Sequence, residues 1–161
     1  ADNWFQKNHV NSLLDLIENE TSIACSYRSF YTMDEKKMSY LEDDDCLSKK
    51  FVDTSCYLIP KKFFKLINIW HLIPNETSQW CDRIFFFNIL KNKCPIKFSE
   101  MHTVGFRTLY DVHYLHSNLD LPKDVKKSDE INKRAVKFFS NLNNKESFVK
   151  TFGFWWNPSK K

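Results

Sequence analysis

Two glycines serve 161 residues, Gly105 and Gly153. Tight hairpins, bulges and phosphate-cradling loops lean on glycine, because a residue without Cβ adopts positive φ freely. So small a supply argues against a multi-stranded β fold and against nucleotide loops. It suits long helices joined by loops that need few special backbone angles. Fifteen Phe and five Trp, within a chain that is 42% hydrophobic, are enough to fill one core. The length predicts a single domain over 1–161, with 157–161 a frayed tail.

Charge excludes more than it suggests. The net +4 comes from 24 basic and 20 acidic side chains that are interspersed. Lys123, Lys126 and Lys127 cluster, but Asp124, Asp129 and Glu130 offset them, so a nucleic-acid partner is not expected. The longest apolar stretch, Phe63 to Ile73, is broken by Lys65, Asn68 and His71. It falls short of the ~20 residues that insert in a membrane. The chain opens on Ala1, as a processed mature chain does.

Cys25, Cys46, Cys56, Cys81 and Cys94 are dispersed, with no C-x-x-C pair. Asn19 and Asn75 head glycosylation sequons, Asn19-Glu20-Thr21 and Asn75-Glu76-Thr77. Together these features predict a secreted, extracellular protein held by disulfides. An odd cysteine count leaves one thiol for an intermolecular bridge or free.

Hydrophobic periodicity predicts four helices. Helix A spans Trp4 to about Glu18, with Phe5, His9, Leu13 and Ile17 on one face. Helix B runs from about Leu58 to Leu72, with Pro60 in its first turn. Helix C covers about Ser78 to Lys93, and helix D about Asp129 to Leu142 behind a Ser128 cap. A further turn holds Phe148 and Phe152. Glu20 to Val52 reads as a long connection pinned by Tyr27, Phe30, Tyr31 and Tyr40. A second connection spans Met101 to Lys127, with a short strand around Val104–Tyr110. Three consecutive Phe, 85 to 87, cannot share one core, so at least one touches a loop, a partner subunit or solvent, a packed A–B or C–D connection being the favoured contact. Two long links and one short one imply an all-α, up-up-down-down four-helix bundle with long A–B and C–D crossovers.

Several segments resemble the macrophage colony-stimulating factor family of short-chain helical cytokines. His9 to Glu18, and the spacing from His9 to Cys25, are similar to its first helix. Cys56-Tyr57-Leu58 with Lys61 to Phe64, Leu90-Lys91 with Cys94, and Arg107 to Asp111 are similar to later segments. The resemblance covers roughly Trp4 to Asp111. It implies a divergent relative, such as a pathogen's copy, that binds a receptor of that type as a homodimer. Cys25 falls where the family carries its interchain disulfide. His9 matches a receptor-contact position, Arg83 lies near another, and Lys91 extends a basic face beside it. The family's own intrachain disulfides have no counterpart here. Bundle geometry offers Cys46–Cys81 and Cys56–Cys94 instead, one of three pairings those four cysteines allow.

No catalytic or metal constellation emerges, so neither an enzyme nor a cofactor is expected. His113-x-x-His116 supplies only two ligands. The run Glu42 to Asp45 lacks the spacing of a calcium loop. Two other binding roles compete with the receptor ligand. One is a secreted helical carrier of a small apolar ligand; the other is a parasite surface protein with a host-protein partner.

Overall fold

A computed structural model describes residues 3–17, 20–38 and 52–155. Four segments are extended: β1 (Asn3–Phe5), β2 (Ile23–Tyr31), β3 (Tyr57–Leu58) and β4 (Ile96–Arg107). Five are α-helical: α1 (His9–Leu14), α2 (Cys81–Lys91), α3 (Asp111–His116), α4 (Ser128–Ser140) and α5 (Leu142–Phe152). Lys61–Leu72 and Asn75–Trp80 form 3-10 helix, and Thr54–Cys56 a single 3-10 turn. The strands make one sheet in the order β1-β4-β2-β3. The fold is therefore mixed α/β, and the all-α up-up-down-down bundle is overturned.

The glycine argument failed for a topological reason. β2 and β4 pair in parallel, and parallel strands are joined by long crossovers. β1 with β4 and β2 with β3 are antiparallel, but each joins segments far apart in sequence. None of these pairs is a tight hairpin, so the sheet makes no demand on glycine-rich turns. Gly105 is needed for another reason. It pairs with Trp4, and a Cβ at this position would overlap the Trp4 indole.

Helix A shrinks to the six residues of α1, because Asn3–Phe5 finds its backbone partners in β4. Phe5, placed on the apolar stripe, is mostly exposed. Most of helix B becomes 3-10 helix, with Pro60 as its cap. A 3-10 helix has three residues per turn, so residues three apart share a face. Phe63, Leu66 and Ile69 obey that spacing; all three join the core, the last two buried and Phe63 partly so. Helix C splits into Asn75–Trp80 and α2. Helix D survives as α4, and the expected extra turn grows into α5. Gly153 ends α5 in the left-handed region (φ 68°), its N–H donating to Val149 O at 2.7 Å.

The main core lies between the sheet and α2, α4 and α5. Ile23, Cys25, Tyr27 and Val104 come from the strands and meet Ile84, Phe85 and Ile89 of α2. Phe139, Phe148 and Phe152 extend the core along α4 and α5, with Phe148 and Phe152 rings 4.3 Å apart. Each buried phenylalanine contributes about 2–3 kcal/mol. Phe85 and Phe86 are buried, while Phe87 packs on Phe154, which follows α5 and belongs to neither long connection. A smaller core joins Phe30, Met38, Tyr114 and Phe106. Tyr27 and Phe30 thus pin their segment to the body, but as part of β2; Tyr40 lies outside the described residues.

Candidate functional site

The most unusual chemistry sits where β2, β3 and the start of α2 converge. Arg28 interrupts an otherwise apolar and small-residue strand, and a buried guanidinium needs acceptors. Asp53 supplies one. Its Oδ1 accepts from Ser55 N at 2.9 Å and starts the 3-10 turn; its Oδ2 accepts from Arg28 Nη1 at 2.9 Å. The two side chains are only 12% and 14% exposed. The guanidinium also lies 4.6 Å over Phe30 and 4.9 Å over Phe106, which fixes its plane.

Asp82, in the first turn of α2, is the second carboxyl of the cluster, and Arg83 N donates to it at 3.0 Å. Part of the residue meets solvent, but the carboxyl is surrounded by protein. Burial raises its pKa to about 6; Arg28 pulls it down, and Asp53 adds to the rise. The Tyr57 hydroxyl is buried without a hydrogen-bond partner. Burial, then Cys25, Asp82, Cys56 and Asp53, keep it protonated. The thiols are equally inert. Burial holds Cys25 well above its usual range, and burial with Asp82 raises Cys81 to about 11. Nucleophilic thiols need the opposite shift. This geometry ties three elements together and activates no nucleophile.

Two histidines serve as internal anchors. His9 Nδ1 lies 2.7 Å from Thr103 Oγ1 and 3.5 Å from Ser26 Oγ, and its ring stacks on Phe5 at 4.3 Å. Desolvation lowers its pKa. His113 Nδ1 meets Thr108 Oγ1 at 2.6 Å, and its ring packs edge-on against Phe30. Burial, then Arg28, lowers it to about 4. His116 is exposed. No three His, Cys, Asp or Glu side chains among the described residues are grouped to hold a metal.

The surface carries a different feature. Tyr114 is buried, its hydroxyl donating to Thr108 O at 3.0 Å, and His113 turns inward beside it. These two residues set the roll of α3, leaving Val112 37% and Leu115 61% exposed. Leu119 N returns to Tyr114 O at 2.9 Å, so the following turn stays against the helix. Leu119 and Leu121 are each 41% exposed. Four large apolar side chains thus meet solvent within ten residues.

The three expected receptor-contact residues each make contacts within the chain. His9 is buried rather than presented to a partner. Lys91 Nζ donates to Phe152 O at 2.8 Å, so its ammonium caps α5. Arg83 is half-buried beside Asp82. Cys25, the expected interchain cysteine, is fully buried within β2. Cys56 is fully buried in the main core, and Cys94 packs partly buried against the same core. Cys94 sits beside Lys62. Cys46, the expected partner of Cys81, lies outside the described residues, as does Asn19. Asn75 is exposed, while the hydroxyl of Thr77 in its sequon is buried against Pro74 O at 2.9 Å.

Sequence reasoning missed Arg28, Asp53 and Asp82. A lone arginine inside an aromatic run was the available signal, since such a group implies a buried acid elsewhere. No protein-family model matches the chain, and no curated protein or solved structure matches it either.

Proposed function

We propose that this chain is an exported binding domain that docks a partner protein through the outer face of α3 and the turn after it. One observation carries the reading: Val112 and Leu115 on α3, and Leu119 and Leu121 just after it, are exposed on a segment whose inner side is anchored by Tyr114. Exposed apolar groups clustered in one place are a common mark of a docking surface. The dispersed cysteines and the exposed Asn75 sequon support export. No helix among the described residues is long and apolar enough to cross a membrane.

The growth-factor reading relied on a bundle that aligned His9, Arg83 and Lys91, and it has lost that support. The partner is therefore an extracellular protein with a complementary apolar groove, of no specified family.

The test is a binding screen of purified protein against an array of extracellular ectodomains, with Leu115→Asp run beside it. Saturable binding to a defined ectodomain, lost at least tenfold in a variant that unfolds at the same temperature, supports the proposal. Binding that Leu115→Asp leaves intact, or none at micromolar concentration, refutes it.

A further inference from the structure

Cys25 and Cys56 form a second kind of site. In the antiparallel ladder of β2 and β3, Cys25 lies directly opposite Tyr57, and Cys56 is the residue before Tyr57. Opposed α-carbons are about 4.5–5.5 Å apart, and one step along a strand adds about 3.4 Å at right angles. The Cys25 and Cys56 α-carbons are therefore about 5.6–6.5 Å apart, inside the usual disulfide range of about 4.4–6.8 Å. In a continuing strand Cys56 would point to the opposite face. Here the ladder stops at Tyr57, and Cys56 ends the 3-10 turn Thr54–Cys56, so strict alternation does not apply. Both side chains enter the same core, fully buried. They also sense each other electrostatically, with Cys56 helping to hold Cys25 protonated.

We propose that Cys25 and Cys56 are a disulfide pair that closes during folding and fastens β3 to β2. The step is thiol–disulfide exchange with a small disulfide oxidant of the glutathione class. One cysteine, as thiolate, attacks an oxidant sulfur and expels a thiolate. The other cysteine, losing its proton, then displaces the remaining oxidant half. Two protein thiols give up two protons and two electrons, and one oxidant disulfide becomes two thiols. Burial keeps the Cys25 thiol protonated and both sulfurs out of the oxidant's reach, so the bridge forms while the core is still open. This inference stands independently of the docking surface.

Trypsin separates all five cysteines into different peptides, with Cys25 in Asn8–Arg28 and Cys56 in Phe51–Lys61. Reduced, unfolded protein is refolded with reduced and oxidised glutathione, digested without reductant and analysed by mass spectrometry. The expected product joins those two peptides. Cys25 linked to any other cysteine, or both thiols still alkylatable after unfolding, overturns the proposal. Thermal melts give a second reading. The bridge closes a loop of about 30 residues, so reduction should lower the melting temperature by about 5–10 °C. In Cys56→Ser that shift should disappear. An equal shift in the variant would also overturn the proposal.

Discussion

Replacing Asp82 with Asn should stabilise the protein at neutral pH and do nothing in mild acid. The folded carboxyl titrates at about 6 against an ordinary 3.8, chiefly because it is buried. That rise corresponds to a penalty of about 3 kcal/mol on the ionised form. The native state holds more protons than the unfolded chain between those two values. Stability from this site is therefore complete below pH 3.8 and is lost as pH rises through 6. An amide cannot ionise and escapes the penalty, and its oxygen still accepts from Arg83 N, 3.0 Å from the carboxylate in the wild type. It loses the attraction of a negative charge to the start of α2, worth about 0.3–1 kcal/mol. Relaxation around a buried charge trims the remainder. Asp82→Asn should gain about 1–2 kcal/mol at pH 7.5 and nothing at pH 3.5. Urea denaturation at the two pH values, read as the difference between variant and wild type, measures this. The difference is needed because His113 pushes the wild-type profile the other way. A variant less stable than wild type at pH 7.5 would show that Asp82 acts chiefly as a partner for Arg28. An equal gain at both pH values would equally refute the burial argument.

Three further outcomes follow from the same geometry. His113 is held neutral down to about pH 4, so its stabilising share is present above pH 6.5 and lost as pH falls toward 4; a ring that titrates near 6.5 by NMR would contradict this. Arg28→Ala leaves Asp53 and Asp82 without their cation and should destabilise by about 3–5 kcal/mol in urea. Restoring most of that loss by adding Asp53→Ala would identify the unpaired charge as its cause. Gly105→Ala drives a methyl into the Trp4 ring and should lose about 1–3 kcal/mol with altered tryptophan emission; an unchanged denaturation midpoint would argue against this packing.

How much was readable in advance follows the range of the interactions. α4 was legible because Ile131, Ala135 and Phe138 repeat locally, and two acidic residues occupy its first turn. β2 was hidden because nearly every residue from Ile23 to Phe30 is buried, which erases the polar–apolar alternation that marks a one-sided strand. Lys61–Leu72 looked like α-helix because spacings of three and four residues both fit the 3.6-residue period; only its burial at every third position separates the two. Of the candidate site residues, Asn75 lies on the surface, whereas His9 is buried and Lys91 bonds to a distant carbonyl of the same chain. A histidine's role depends on what covers it, and here β4 supplies Thr103. A lysine's role depends on which carbonyl lies within reach, and here that is Phe152 O, 61 residues away.

By itself the amino-acid order determined the short-range features: the amphipathic helices, the stop of α5 at Gly153, and a core rich in phenylalanine; the expected Ser128 cap is not made, since Ser128 is already the first residue of α4. The tertiary structure alone decided that Asn3–Phe5 would lie against β4, about a hundred residues on, and that Arg28 would meet Asp53. Helical hydrogen bonds close within four residues and leave a periodic imprint. Strand pairing and buried ion pairs join positions whose separation along the chain carries no such imprint, so they emerge only when the whole chain is packed.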